Sequence, residues 1–207
     1  MVTSNKDLMT QAREALMGRW GLAVGTFFVY LLIVMLGSGS WSRTLGAYTF
    51  QISSNIILLL IGGALALGLA TFSLAIARKE EAKFAMLFSG FDHYGKTLKL
   101  YLLMVLFILL WMLLLIVPGI IAAISYAQAF YLMSDDPNIG AMEAIDKSKK
   151  MMYGYKWKFF CLGLRFIGWF LLGILSLGIG FLWIVPYMNI SAAKFYEDVK
   201  ANYVEAQ

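Results

Sequence analysis

The chain has 207 residues, of which 61% are hydrophobic and only 14% charged, with a mean hydropathy of +0.75 and a formal net charge of +5. Soluble domains carry roughly 25% charged residues, so this composition excludes an ordinary water-soluble fold and places the chain in the membrane class. A single cysteine, Cys161, excludes an internal disulfide and a cysteine-built metal site.

Asp, Glu, Lys and Arg are absent from four long runs, 20–42, 44–77, 100–134 and 166–193. Ahead of the first, Leu8, Ala12, Ala15 and Leu16 stand at helical spacing among Lys6, Asp7, Arg13, Glu14 and Arg19. That predicts an amphipathic helix leading into an uncleaved span. MLGSGS offers small residues where a peptidase could cut, but the mixed charge before it is unlike the short basic start of a secretory signal. The first two spans are predicted near 20–37 and 56–77, joined by the polar connector GSGSWSRTLGAYTFQISSN, whose only charge is Arg43. Gly21 and Gly25 form a GxxxG in the first span, and Gly62, Ala66, Ala70, Ser73 and Ala77 line the second with small side chains, which predicts close packing of the two.

The segment 78–99 follows, with Phe84, Leu87, Phe88 and Phe91 as an apolar stripe, and then 35 uncharged residues from Leu100 to Ser134. As one helix they would extend about 52 Å, against a hydrocarbon core about 30 Å thick. The flanks are both basic: Arg78, Lys79, Lys83, Lys96 and Lys99 before, Lys147, Lys149, Lys150, Lys156 and Lys158 after. Basic flanks favour the cytoplasm, so the chain is predicted to cross twice. Pro118-Gly119, in IVPGI, is the predicted turn, because proline lacks the amide that continues a helix and glycine tolerates reversal. One kinked helix is the alternative.

In the last third, Asp136 is expected to cap a helix with Pro137 at its first position. Ile139, Met142, Ile145 and Met152 would form its apolar stripe, with Glu143–Lys147 and Asp146–Lys150 as pairs contributing about 0.2–0.5 kcal/mol each. Gly178 and Gly180 divide the uncharged run of 28 residues at 166–193 into two short spans, returning the chain to Lys194 and Lys200. The prediction is an all-α fold: a single domain, 1–207, forming a polytopic six-helix transmembrane bundle with three interfacial amphipathic helices and both termini in the cytoplasm. Those helices end in LMGRW, HYGKTLK and MMYGYKWKF, with Trp20 and Trp157 at interface depth, which suggests helix-plus-hairpin repeats at 1–77, 78–134 and 135–207. Shared interface chemistry could produce the same similarity.

No carboxylate lies inside a predicted span, which weighs against proton-coupled transport. His93 is the only histidine, so HExxH is excluded, and GxxxxGK[ST] does not occur. No metal site, cofactor or nucleic-acid partner is expected. Arg165 falls about 10 Å inside the fifth span, at a depth similar to Asn189, Gln128, Tyr126 and Tyr187. Either Arg165 snorkels to the interface while the amides bond nearby backbone, which is the simpler account, or the five form a polar pocket for a phosphate or carboxylate head group.

The segments AREALMGRWGLAV, LFSGFDHYGKTLK, IVPGI, AMEAIDKSKKMMYGYKWKFF, FIGWFLL and GIGFLWIVPYMNISAAKFYED resemble a bacterial family of six-span integral membrane proteins, common in Gram-positive organisms and catalogued as a domain of unknown function. The family is similar, more distantly, to the membrane domain attached to some glycerophosphodiester phosphodiesterases. That resemblance implies lipid or envelope biology and supplies no catalytic residues. The expected function is a non-enzymatic protein of the cytoplasmic membrane, in contact with anionic lipid head groups, with another membrane protein or with itself. A small-solute transporter or an export or immunity factor is the alternative.

Overall fold

The computed structural model describes residues 3–37, 40–45 and 48–205, with side chains described over 3–37 and 58–203. Among the described residues the fold is all-α apart from one two-stranded hairpin. Helix α1, Asn5–Leu16, begins where the Ser4 hydroxyl accepts from the Asp7 amide at 3.2 Å. Its apolar residues Leu8, Ala12, Ala15 and Leu16 are buried. The helix is docked on the bundle instead of lying apart at a membrane surface: Asn5 Nδ2 donates to Lys158 O at 2.9 Å, and the Tyr187 hydroxyl donates to Met9 O at 3.1 Å.

Helices α2, Trp20–Gly37, and α3, Ser54–Ala77, flank strands β1, Ser40–Leu45, and β2, Tyr48–Ser53, which pair antiparallel with Arg43 opposite Phe50. The expected polar connector is therefore a β-hairpin, and the side chains of 38–57 lie outside the described residues. The predicted glycine contact between the first two spans does not form. A Cβ on Gly21 or Gly25 would meet nothing within 4 Å, and one on Gly62 would meet the Tyr101 ring at 3.2 Å. Ala66 is half-buried and Ala70 is buried in the core. The two helices meet instead through Phe27 and Phe72, ring centroids 6.2 Å apart, because aromatic rings bury more apolar surface than glycines can.

The close glycine approach lies elsewhere, between α3 and a 3-10 helix at Phe84–Phe91. A Cβ on Gly68 would fall on the Leu87 carbonyl, and one on Gly90 on the Ala64 carbonyl. This seam divides the expected stripe: Leu87 is buried, while Phe84, Phe88 and Phe91 face outward. Their rings stand 5.9 and 6.4 Å apart, and Phe91 stacks on Tyr94 at 6.1 Å.

Helix α4, Tyr94–Leu114, and α5, Ile116–Tyr126, form an antiparallel hairpin. Phe107 contacts Tyr126 near its base, and a Cβ on Gly119 would lie 3.0 Å from Met112 Cα near its tip. The reversal is at Leu115, whose extended backbone (φ −161°, ψ 147°) precedes Pro118-Gly119. Proline fits the first turn of the returning helix, where its missing amide has no partner to lose, and glycine allows the two helices to touch.

Helix α6, Ala129–Asp135, continues α5 after a break at Ala127-Gln128, and α7 is Ala141–Met151. Neither Asp136 nor Pro137 starts α7. Asp136 Oδ1 instead accepts from the Asn138 amide at 2.9 Å, a local turn, and the helix opens at Gly140, whose amide donates to Glu143 Oε2 at 3.4 Å. Met142 faces outward while Ile139, Ile145 and Met152 are buried, and Lys149 pairs with Asp146 at 3.5 Å in place of the expected partners.

Helices α8, Lys156–Arg165, and α9, Ile167–Leu175, lead through a reversal at 176–180 to α10, Phe181–Glu205. Gly178 (φ +90°) lies in that reversal, and the Gly180 amide donates to Ser176 Oγ at 2.8 Å. Of the three repeated endings, Gly18 (φ +75°) and Gly154 (φ +82°) adopt the left-handed conformation that stops a helix, whereas Gly95 lies inside α4.

Among the described residues, five helical segments are long and apolar enough to cross a membrane: Trp20–Gly37, Leu58–Ala77, Tyr94–Leu114, Ile116–Asp135 and Lys156–Leu175. The uncharged part of α10, 181–193, has 13 residues against the roughly 20 a spanning helix needs. The outward surface is strongly apolar, with Leu113, Leu115, Ile116 and Leu177 largely exposed. The core lies nearer the opposite end, around Phe72, Ile76, Leu16, Phe195 and Tyr196.

Candidate functional site: the charged end of the bundle

Two of the uncharged runs, 44–77 and 100–134, are closed by Arg78 and Asp135, and the fold brings these two together with charges of the last helix. Arg78 follows the last residue of α3, Asp135 ends α6, and Glu197 and Lys200 lie on successive turns of α10. Arg78 Nη2 donates to Asp135 Oδ1 and to Glu197 Oε1, both at 2.7 Å, and Arg78 Nε reaches Glu197 Oε1 at 3.2 Å. Asp135 Oδ2 accepts from the Tyr196 hydroxyl at 2.6 Å and from Lys200 Nζ. The side chain of Asp135 is only 12% exposed, so an unpaired charge there would be costly.

Electrostatics follow from those contacts. Burial disfavours the Arg78 cation, but hydrogen bonds from the guanidinium to Glu197 and Asp135 outweigh it and raise its pKa. Burial, followed by the bond to Asp135, pushes the Tyr196 phenol up. A second pair joins Lys158 Nζ to Asp198 Oδ2 at 2.7 Å, and the Thr3 amide and hydroxyl donate to Asp198 Oδ1 at 3.1 and 2.6 Å. Burial alone would raise the Asp198 carboxyl; the bonds from Lys158 and Thr3 outweigh it and hold it below the usual carboxylate range.

Two acids and two bases balance in the Arg78 cluster, and one of each in the Lys158 pair. These groups tie α3, α6, α8 and α10 together. His93 borders a separate small cavity with Asp92, Ser89 and Ser134. There Ser89 donates to Met86 O and Ser134 shares a hydrogen bond with Thr71, so no nucleophile and base are paired. Among the described residues, no three His, Cys, Asp or Glu side chains converge to hold a metal.

The five residues of the predicted polar pocket are dispersed. Arg165 is exposed at the end of α8. Asn189 Nδ2 donates to Val185 O of its own helix at 2.9 Å, as Ser191 does to Tyr187 O at 2.8 Å, so these polar groups satisfy local backbone. Tyr187 lies among Trp20, Trp169 and Trp183 beside Arg13. Tyr126 borders a larger cavity against α4 and α7. Gln128 is fully buried, with neither side-chain amide atom hydrogen-bonded. Similar depth along separate helices did not bring these groups together, because depth fixes no rotation about a helix axis.

Sequence reasoning counted Arg78 among the basic flanks and did not single out Asp135 or Glu197. Their signal was positional: Arg78 and Asp135 are the first charges after runs 44–77 and 100–134.

A family model described as "Protein of unknown function (DUF975)" matches residues 1–129 and 112–203 of the chain. No curated protein and no solved structure matches it.

Proposed function

For a chain that belongs to the DUF975 family of proteins of unknown function, we propose a non-enzymatic role in the bacterial cytoplasmic membrane, exercised through contact with lipids and neighbouring membrane proteins in envelope maintenance. In this reading the five long apolar segments cross the bilayer, and the apolar start of α10 pairs with α9 as a short sixth crossing. The charged end and both termini face the cytoplasm.

The observation that carries the reading is the sorting of surface chemistry along the bundle. Apolar side chains at Leu109–Val117 and Ile167–Leu177 are largely exposed at one end, while the buried ion pairs gather at the other. An apolar surface of that kind is a liability in water and is at home in lipid. The outward row Phe84, Phe88, Phe91 and Tyr94 lies beside Lys83 and Lys96, a pairing of aromatic and basic groups suited to the head-group boundary. Because the inner ion pairs are balanced, the surplus of five positive charges lies on other lysines and arginines, where each attracts an anionic leaflet by about 1 kcal/mol.

Quenching of the chain's six tryptophans by brominated lipids tests this directly. After reconstitution, brominated phosphatidylglycerol is expected to quench more strongly than brominated phosphatidylcholine at equal mole fraction. Equal quenching by the two would contradict a role built on anionic lipid contact.

A further inference from the structure

We propose that the cavity between α4, α5 and the α7–α8 turn holds one anionic phospholipid, its phosphate against Lys149, Lys150 and Lys156 and an acyl chain along α5. This rests on the membrane reading above and adds a specific site to it.

The cavity has a volume of about 690 Å³, within the roughly 300–1,000 Å³ of small-molecule sites. Its wall changes character along α5. Toward the Leu115 reversal it is made by Trp111, Pro118, Ile121 and Ala122; at the other end it is made by the three lysines and Tyr153. From Pro118 to Tyr126 the helix rises about 12 Å. The polarity is that of a lipid, apolar along its length and anionic at one end.

Specific bonds hold the lysines there. Ser148 Oγ donates to Ser125 O at 2.7 Å and accepts from the Gln128 amide at 3.3 Å, which pins the last turn of α7 to the end of α5. Lys149 and Lys150 follow immediately. Gly154, at φ +82°, then turns the chain so that Lys156 lines the same cavity.

The charges there lack the compensation found elsewhere. Arg78, Lys158 and Lys200 are each paired with a carboxylate at 2.7 Å or closer. Lys149 has only the exposed Asp146 at 3.5 Å, and among the described residues Lys150 and Lys156 form no ion pair. No carboxylate lines the cavity. Lys149 and Lys150 are exposed and Lys156 is half-buried, at the end of the cavity away from the apolar tip of the hairpin. Three cations with no carboxylate among the lining residues attract an anionic head group. A free phosphate would supply the charge and leave the Trp111–Ala122 wall without an apolar partner; a phospholipid supplies both.

Native mass spectrometry of the full chain, delipidated in mild detergent and titrated with phosphatidylglycerol, tests the site. One phosphatidylglycerol is expected to bind ahead of phosphatidylcholine. The double variant Lys150→Glu/Lys156→Glu should bind it at least about 30-fold more weakly, and Lys147→Glu, outside the cavity, should bind it normally. Ile121→Trp, which fills the apolar wall without altering charge, should also lose it; matching thermal unfolding of all variants confirms that the fold is intact. Unchanged binding in both the charge and the apolar variants would overturn the proposal, as would displacement of the lipid by inorganic phosphate at equal concentration. If the variants leave binding unchanged while brominated phosphatidylglycerol still quenches preferentially, the site fails and the broader membrane reading stands.

Discussion

Arg78 at the end of α3 donates to Asp135 at the end of α6 at 2.7 Å, across 57 residues of chain. The contact joins the two basic segments that flank the α4–α5 hairpin, and a second link, Lys96 Nζ to Pro137 O at 2.9 Å, joins them again. Both segments therefore lie at the same end of the bundle, as a double crossing between them requires.

Asp135 receives Arg78, Tyr196 and Lys200, so its removal leaves Lys200 and the Tyr196 phenol without their carboxylate and Arg78 with Glu197 alone. Asp135→Ala is expected to destabilise the protein by about 1–3 kcal/mol. Thermal unfolding in detergent reads this, and a variant as stable as the parent would show that the cluster holds nothing together.

Asp198 has a depressed pKa, so its pairing with Lys158 and Thr3 contributes stability that is fully present above the ordinary carboxylate value of about 3.9 and is lost as pH falls through the lower folded value. The melting temperature of the parent should exceed that of Asp198→Asn by a constant margin near neutrality. The margin should shrink once the pH drops below about 4. A margin that instead grew on acidification would reverse the assigned sign.

The glycines separate into two groups by what an added methyl would meet. Gly68→Ala and Gly90→Ala each drive a Cβ onto a backbone carbonyl and should cost about 1–3 kcal/mol or more. Gly21→Ala and Gly25→Ala meet nothing and should be neutral or stabilising by up to about 1 kcal/mol through helix propensity. Paired denaturation measurements in one detergent decide it, and the opposite ranking would restore the GxxxG contact.

Gln128 is buried with neither atom of its amide bonded, which costs about 1–3 kcal/mol relative to a bonded amide. Gln128→Met keeps much of the volume and removes the unmet polar group, so it should raise stability by about 1 kcal/mol. A clear loss of stability would mean the amide has a partner in the membrane.

What the sequence revealed follows the physical reach of each signal. Length against bilayer thickness, together with the balance of lysines, was enough to require a reversal inside 100–134, because both arguments act over whole segments. The exact turn was not: Pro118 serves the start of α5 as well as it would serve a turn, and the extended backbone at Leu115 distinguishes the two. Amphipathic periodicity identified α1 and α7, whose apolar faces dock on the bundle, and it misjudged 84–91, where Leu87 is drawn into the close seam with Gly68 while Phe84, Phe88 and Phe91 stay outward. The ion cluster and the lysine-rimmed cavity depend on how helices rotate against one another, which a single sequence encodes only in the summed packing of Phe27, Phe72, Gly68 and similar contacts.

Membrane-impermeant maleimide labelling of single cysteines in a Cys161→Ser background tests the shared placement of the two basic segments most directly. Asp92→Cys and Lys147→Cys, both exposed at the charged end, should react only from the cytoplasmic side, and Val117→Cys and Leu177→Cys, at the two reversals, only from the other. Labelling of positions 92 and 147 from opposite sides of the membrane would contradict the account.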